Sequence, residues 1–527
     1  MEKRTLIALL LTIVILFFFQ MYFVPQQQPK TKEQQQKTEE KKEITDKKEV
    51  SPSKKDTPAK KIEKAEIKPQ KDVVVETPLL KVTFTDIGGG ISSVKLKRYK
   101  ELVKESKPKE IIEDIKPYIY LPKLFKVVDG EIIDDRTYFK PDKTNITIQD
   151  KPETLVFTGN LTNGKQVKKI YTFYPDNYII DMKIETEASD KEKALMDFAV
   201  INGKNPSSYT FKGPFVFNGK KFGQIEKIEK NIEIEKTYKY AGLDEGFFAF
   251  IWISDEDSKF PLTILKTENN TPVLRSTLDK GTLSGKLYFG PKKSDILKNL
   301  NVGAEKIVDF GWFDIIAKPL ILELNLSNRL THNYGIDIIL LTILIKIIFY
   351  PLSVKSYKSM KEMQKMQPII SKLKEKYKDD KQKLNQEMMD LYKKKGINPM
   401  GGCLPMIIQI PVFFALYKAL SGAIELRHAP FMLWINDLSA PEDLFSFSIA
   451  GYSLPIRILP LVMGVTQVIQ QKMTPTSADP IQEKMMLFMP IFFTFLFWGF
   501  PSGLVLYWLV NNVISIAQQY YINKKVS

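Results

Sequence analysis

Apolar residues follow three different rhythms along this chain. Near the N-terminus they run unbroken from Leu6 to Val24, except at Thr12 and Gln20. A helix over that run spans about 28 Å, enough to cross a hydrocarbon core. Lys3 and Arg4 precede it, and no small-x-small cleavage pattern follows it. Residues 1–24 are therefore predicted to be an uncleaved anchor helix with its N-terminus in the cytoplasm. Residues 25–72 then mix 14 lysines with ten acids and no aromatic residue. Such a stretch cannot bury enough apolar surface to offset its ordering entropy, so it reads as a disordered linker.

The second rhythm has period two. Leu80, Val82 and Phe84 alternate with Lys81, Thr83 and Thr85, and Tyr178, Ile180, Met182 and Ile184 alternate with Ile179, Asp181, Lys183 and Glu185. Pro175-Asp176-Asn177 supplies a turn before the latter run. The pattern predicts an antiparallel β-sandwich over residues 73–308, on the far side of the membrane from the N-terminus.

The third rhythm is helical. Residues 309–334 mix Trp312, Phe313, Ile315, Ile316, Leu320, Leu324 and Leu326 with Asp314, Lys318, Glu323 and Asn325, as an interfacial amphipathic helix does. Within residues 335–527 five apolar segments follow, at 336–352, 403–423, 454–471, 485–500 and 503–521. They predict a five-helix transmembrane core, although several are short for a bilayer and require thinning, tilt or shielding by neighbours. The loop 353–401 carries 13 lysines and six acids and belongs in the cytoplasm, whereas 424–453 holds Glu425, Asp437, Glu442 and Asp443 against Arg427 alone. Lys524 and Lys525 place the C-terminus inside as well. The fold class is thus a multi-domain membrane protein: anchor, outer β-sandwich, five-helix core and cytoplasmic helical hairpin.

That hairpin shows Met363, Met366, Ile370, Leu373 and Tyr377 at alternating spacings of three and four, resumed by Leu384, Met388 and Leu391 after Asp379-Asp380. A Met-rich seam with a lysine-rich exterior, including Lys376, Lys383, Lys393 and Lys394, is either a self-contained coiled coil or an adaptable docking surface. The two readings are compatible.

Composition narrows the chemistry. The chain has 527 residues, a net charge of +16, one cysteine (Cys403) and two histidines, His332 and His428. No disulfide framework, HExxH pair or His-rich metal centre is possible, and the stretch Gly213–Lys220 misses the spacing of a nucleotide-phosphate loop. No catalytic residue, metal or cofactor is expected, and the linker's mixed charges without interleaved aromatics do not read as a DNA-binding surface.

Polar residues inside the apolar segments carry the functional signal. Lys346 lies within Ile338–Phe349, where a charge costs about 2.5–3.5 kcal/mol at mid-bilayer. Either it snorkels to the cytoplasmic interface or it faces a water-filled cavity, and the apolar segments are read as holding no carboxylate to pair with it. Thr342 lies one turn before it. Trp508, Asn511, Asn512, Ser515 and Gln519 draw one stripe along the last segment, with Gln409, Gln467 and Gln471 in two others. A hydrophilic groove explains the set. It would suit a hydrophobic segment in transit, while a transporter or a binding module on a membrane base are rival readings.

Several strings carry a more specific resemblance: Tyr350-Pro351-Leu352, Gln386-Glu387-Met388-Met389, Asn398-Pro399-Met400-Gly401-Gly402-Cys403, Glu425-Leu426-Arg427-His428-Ala429-Pro430-Phe431, Trp434-Ile435-Asn436-Asp437-Leu438-Ser439 and Phe500-Pro501-Ser502-Gly503. From about Trp312 to Tyr521 the chain resembles the bacterial YidC membrane protein insertases, and the anchor, linker and strand-rich domain resemble the Gram-negative form with its large periplasmic domain. The resemblance implies a non-enzymatic helper in the cell inner membrane that moves newly made membrane proteins into the bilayer, alone or beside the Sec translocon and its accessory subunits. It further implies a ribosome contact through the basic loop and tail, and a periplasmic location for residues 25–308. The family's groove cation is usually arginine. Lys346 stands at that position, and Thr342 and Trp508 match positions lining the groove.

Overall fold

The computed structural model describes residues 71–525, apart from short stretches of which the longest are 113–119, 187–193, 201–210, 256–261, 267–271, 397–403 and 474–479. The anticipated anchor 1–24 and nearly all of the linker, as well as Cys403, lie outside the described residues.

The period-two segments are strands. Strand Gln166–Phe173 pairs antiparallel with Ile179–Thr186, and Asn177 Oδ1 accepts from the Ile179 N–H at 2.9 Å to close the intervening turn. Ile180, Met182 and Ile184 are buried while Lys183 between them is exposed. These two strands lie within a nine-stranded antiparallel sheet running from Phe222–Gln224 at one edge to Phe139–Pro141 at the other. A five-stranded sheet centred on Leu80–Thr85 packs across it, with the Phe84 ring 5.4 Å from that of Phe157 and 4.8 Å from that of Tyr171. A third sheet of six strands includes Lys123–Val128, Ala194–Val200 and Pro272–Leu278. Two features depart from a simple antiparallel sandwich. Among the described residues of this domain there are three sheets, and Asp72–Glu76 pairs in parallel with Asn145–Thr147, because the long intervening chain lets the later strand return in the same direction. The turn Gly88-Gly89 has φ of 67° and 57°, and a Cβ on Gly88 would lie 2.5 Å from the Tyr120 ring, so only glycine fits there.

The remainder is mostly helical: α1 (Ser294–Lys298), α2 (Asp314–Thr331), α3 (Tyr334–Ile348), α4 (Tyr350–Lys376), α5 (Lys381–Lys395), α6 (Leu404–Gly422), α7 (Ile458–Met473), α8 (Pro480–Phe497) and α9 (Ser502–Lys525). Asn333 caps α3, its Oδ1 accepting from the N–H groups of Gly335 and Ile336 at 2.9 and 3.2 Å. Ile338, Leu341 and Ile345 of α3 share a buried cluster with Leu416 and Leu420 of α6, Met463 of α7, Phe497 of α8 and Leu504 and Tyr507 of α9.

Among the described residues no single helix is both long and apolar enough to cross a membrane alone. The bent pair α3 and α4, turned by 65° at Phe349, has the length and composition to do so. The apolar segment 336–352 is therefore not one straight helix. The phenylalanine at the bend is followed by Tyr350 and Pro351, and proline is accommodated in the first turn of a new helix. Segment 454–471 differs too. Its first residues belong to the strand Tyr452–Ile456, which pairs with Phe445–Ile449, and α7 begins only at Ile458.

Candidate functional site

The polar residues within the apolar segments converge on α9. Lys346 of α3 is half-buried, and its Nζ donates to Ser515 Oγ at 2.6 Å. Ser515 Oγ in turn donates to the Asn511 carbonyl at 2.7 Å, and Tyr357 of α4 donates to the Ser515 carbonyl at 3.4 Å. Among the described residues no carboxylate pairs with Lys346. Thr342 is fully buried and returns its hydroxyl proton to the Ile338 carbonyl at 2.6 Å, so it adds no free donor to the cluster.

The stripe on α9 does not line one face of one groove. Asn511 and Ser515 lie toward α3, whereas Asn512 donates to Thr466 Oγ1 of α7 at 3.4 Å and Gln519 donates to the Met473 carbonyl at 2.8 Å. All four are buried, because a helix whose polar arc spans i, i+3 and i+4 serves two packed neighbours. Gln409 of α6 donates to the Tyr507 hydroxyl. Gln467 Oε1, Asn511 Oδ1, Gln519 Oε1 and Trp508 Nε1 are buried without a protein partner. The Trp508 indole packs among Phe413, Phe493 and Phe497, at 5.1, 6.0 and 5.2 Å between centroids. Lys346 and Ser515 thus meet at the α3–α9 contact and Asn512 at the α9–α7 contact, while Gln409 bonds Tyr507 and Trp508 sits among aromatic rings.

Asp337 corrects the reading that the apolar segments hold no carboxylate. It lies inside the 336–352 segment and is fully buried in the first turn of α3. It accepts from Asn328 Nδ2 at 2.7 Å and from Thr331 Oγ1 at 2.6 Å. Nine residues of helix, about 13 Å, separate it from Lys346, so it stabilises the α2–α3 corner and leaves the lysine alone. A carboxylate beside two amide and hydroxyl residues at a helix start was a signal available in the sequence.

The loop hairpin is α4 against α5. Met366 and Ile370 are buried against Met388, Leu391 and Tyr392. Met363 is half-buried and is not among the residues of that seam. Lys376, Lys383, Lys393 and Lys394 are exposed, with the ammonium groups of Lys376 and Lys383 at 5.2 and 5.7 Å from the Tyr377 ring.

Apolar side chains cover much of the outer surface here. Trp312 is 99% exposed, and Ile315, Leu322, Leu326 and Leu330 continue an apolar row along α2. Ile343 and Ile347 of α3, Val465 and Ile469 of α7 and Phe495 of α8 are exposed too.

A second assembly escaped sequence reasoning. Arg427, in the loop after α6, donates through Nη2 to the carbonyls of Lys100 and Glu101 at 2.8 and 2.9 Å, with its guanidinium 5.1 Å from the Phe248 ring. Ile424 enters the core of the β-rich domain. This loop therefore joins the helical region to the sheets.

Two family models match. The one described as YidC periplasmic domain covers residues 72–322, and the one described as 60Kd inner membrane protein covers residues 326–527. A Syntrophus aciditrophicus protein named membrane protein insertase YidC is 43% identical over 480 residues, covering 86% of this chain and 85% of that one. The protein of the same name from Pelobacter propionicus is 38% identical across the whole of both chains. The solved structure described as an active YidC insertase with its first transmembrane domain resolved is 22% identical, covers 86% of this chain and 93% of its own, and superposes with a TM-score of 0.41.

Proposed function

The chain belongs to the family of YidC membrane protein insertases, and from that premise we propose that Lys346 and its neighbours on α9 form the polar path by which a client segment passes between cytoplasm and bilayer. A family member of this kind inserts membrane proteins in the inner membrane and carries a periplasmic β-rich domain. The observation that carries the finer reading is the 2.6 Å bond from Lys346 Nζ to Ser515 Oγ, in a stretch of α3 with no carboxylate within reach. A neutral hydroxyl solvates an ammonium but does not neutralise it, so the cation stays available to an acidic group entering beside it.

In this reading the acidic or polar flank of a client replaces Ser515 at Lys346, the buried amides of Asn511, Asn512 and Gln467 offer further hydrogen bonds, and the apolar part of the client leaves past Trp508 into lipid. Burial of apolar surface, worth about 25 cal/mol per Å², drives the last step, so no bond chemistry or nucleotide is required. The topology we propose has both termini cytoplasmic, an anchor at 1–24, residues 25–308 periplasmic, α2 lying in the interface, and α3 and α6 to α9 crossing together as a bundle that shields the short helices. The contact of Arg427 with Lys100 and Glu101 supports it, because it puts the acidic 424–453 loop against the periplasmic domain. The basic face of α4 and α5 suits ribosomal RNA and emerging chains, and the Sec translocon and its accessory subunits are further partners in this scheme.

The test is reconstitution. Liposomes holding the protein are expected to protect a small two-span substrate from protease well beyond empty liposomes. In the same assay Lys346→Arg is expected to keep insertion within about twofold, and Lys346→Glu to lower it at least about tenfold for substrates with acidic flanks. Equal activity of the Glu variant removes the electrostatic role, and no gain over empty liposomes removes the function.

A further inference from the structure

The ribbon formed by Phe445–Ile449 and Tyr452–Ile456 has a two-sided composition. Its register sets Phe445, Phe447 and Ile449 opposite Ile456, Leu454 and Tyr452, and sets Ser446 and Ser448 opposite Pro455 and Ser453. Opposed residues in an antiparallel pair share a face. One set of register positions is therefore apolar in sequence throughout, and the other is three serines and a proline. Phe445 and Phe447 are 46% and 49% exposed, with their rings edge to face at 4.6 Å, and neither joins a buried cluster. A two-stranded ribbon that leaves two phenylalanine rings exposed is marginal in water and needs a cover.

The ends of the ribbon are fixed. Glu442, just before it, is buried and accepts from Trp434 Nε1 at 2.5 Å and from the Leu459 N–H in the first turn of α7 at 2.6 Å. Arg457, just after it, donates to the Trp498 carbonyl at the end of α8. The ribbon is thus held level with the ends of α7 and α8 that face the β-rich domain, where Lys104 lies 3.9 Å from Asp443. From Arg457 the chain runs straight into α7, whose Leu461, Val462, Val465 and Ile469 are exposed and apolar.

We propose that the ribbon is a membrane-interface element whose Phe445–Phe447 face lies on the acyl chains of the outer leaflet, continuous with the lipid-facing side of α7. This rests on the reading that α7 lies in the bilayer. The occupant is lipid because the apolar face continues a surface that meets acyl chains, and because residues 444–456 contain no charged side chain. The adjoining charges are Glu442, Asp443 and Arg457, so anionic headgroups are not what holds the ribbon; apolar and aromatic insertion is.

The full chain carrying Cys403→Ser and a single spin label tests this in phosphatidylcholine liposomes. Labels are introduced by Phe445→Cys, Ser446→Cys, Phe447→Cys and, as a reference on α7, Val465→Cys. Positions 445, 447 and 465 are expected to show severalfold higher accessibility to oxygen than to a water-soluble nickel chelate, with 446 reversed. Nickel accessibility at all three ribbon positions, with 465 still in lipid, overturns the proposal by placing the ribbon in water. Low accessibility to both reagents at 445 and 447 overturns it by placing a protein there. Nickel accessibility at 465 overturns the bilayer reading of α7 itself.

Discussion

Lys169 is fully enclosed in the β-rich domain, its Nζ donating to the Pro122 carbonyl at 3.1 Å and lying 5.4 Å from the centre of the Phe139 ring. Burial pushes its pKa down to about 7. The unfolded chain holds that proton up to its ordinary range near 10.4. Between those values the unfolded state binds more protons than the native state, so this lysine lowers stability progressively as pH falls from above 10 to about 7, and below that its contribution is flat. Lys169→Met is expected to slow amide exchange in strand Gln166–Phe173 at pH 7 and to flatten its dependence on pH between 7 and 10; an unchanged slope would show that the charge is accommodated. The sequence carried the signal, because Lys169 shares the buried phase of Val167, Tyr171 and Phe173. In strands a charge in phase with the core is as telling as one in a membrane segment. Lys346 was easier to find because everything around it is apolar. Its partner Ser515 is 169 positions away, and no local pattern names it.

At the scale of elements, the α4–α5 hairpin holds together through a narrow seam. Met366→Ala and Ile370→Ala each remove a buried side chain, at a cost of about 2 kcal/mol, the low end for large-to-small changes, because only two helices share the site. Hydrogen exchange in α5 is expected to accelerate about tenfold or more, with α9 unchanged. If α5 keeps its protection, the hairpin is stabilised elsewhere. Alternation identified the long strands, and helical spacing identified the hairpin with Met366, Ile370 and Met388 but misplaced Met363. How far a seam extends is a property of both helices. The ribbon at 445–456 was hidden because its first strand is only five residues long within what reads as a loop, and its second runs into the apolar segment of α7. The bend at Phe349 was hidden for the same reason, since Tyr350-Pro351 breaks the axis without breaking the hydropathy.

At the scale of the molecule, the sheets and helices meet through the loop after α6. Arg427 spends two hydrogen bonds on backbone carbonyls of the β-rich domain and holds its guanidinium over the Phe248 ring. Arg427→Ala is expected to broaden spin-label distance distributions between the β-rich domain and α9, and Arg427→Lys to restore them only in part, since an ammonium lacks the planar fork. Unbroadened distances in the alanine variant would mean that Ile424 and the α2 connection suffice. The division into a strand-rich part and a helical part was plain from the change of rhythm, whereas their coupling was not, because Arg427 and Lys100 are far apart in the chain and ordinary in their local settings. The polar stripe on α9 was legible as a period, but its division between α3 and α7 depends on packing.

The bend at Phe349 gives α4 the mechanics of a lever. Its 27 residues reach about 40 Å from the pivot, while Tyr357, bonded to the Ser515 carbonyl, is about 10 Å from it. A rigid arm of those proportions scales a swing of about 4 Å at its far end, where α5 and its lysines sit, down to about 1 Å at Tyr357, whose partner Ser515 also accepts from the Lys346 ammonium. Load on the far tip of α4 and geometry at the Lys346 ammonium are then two ends of one beam.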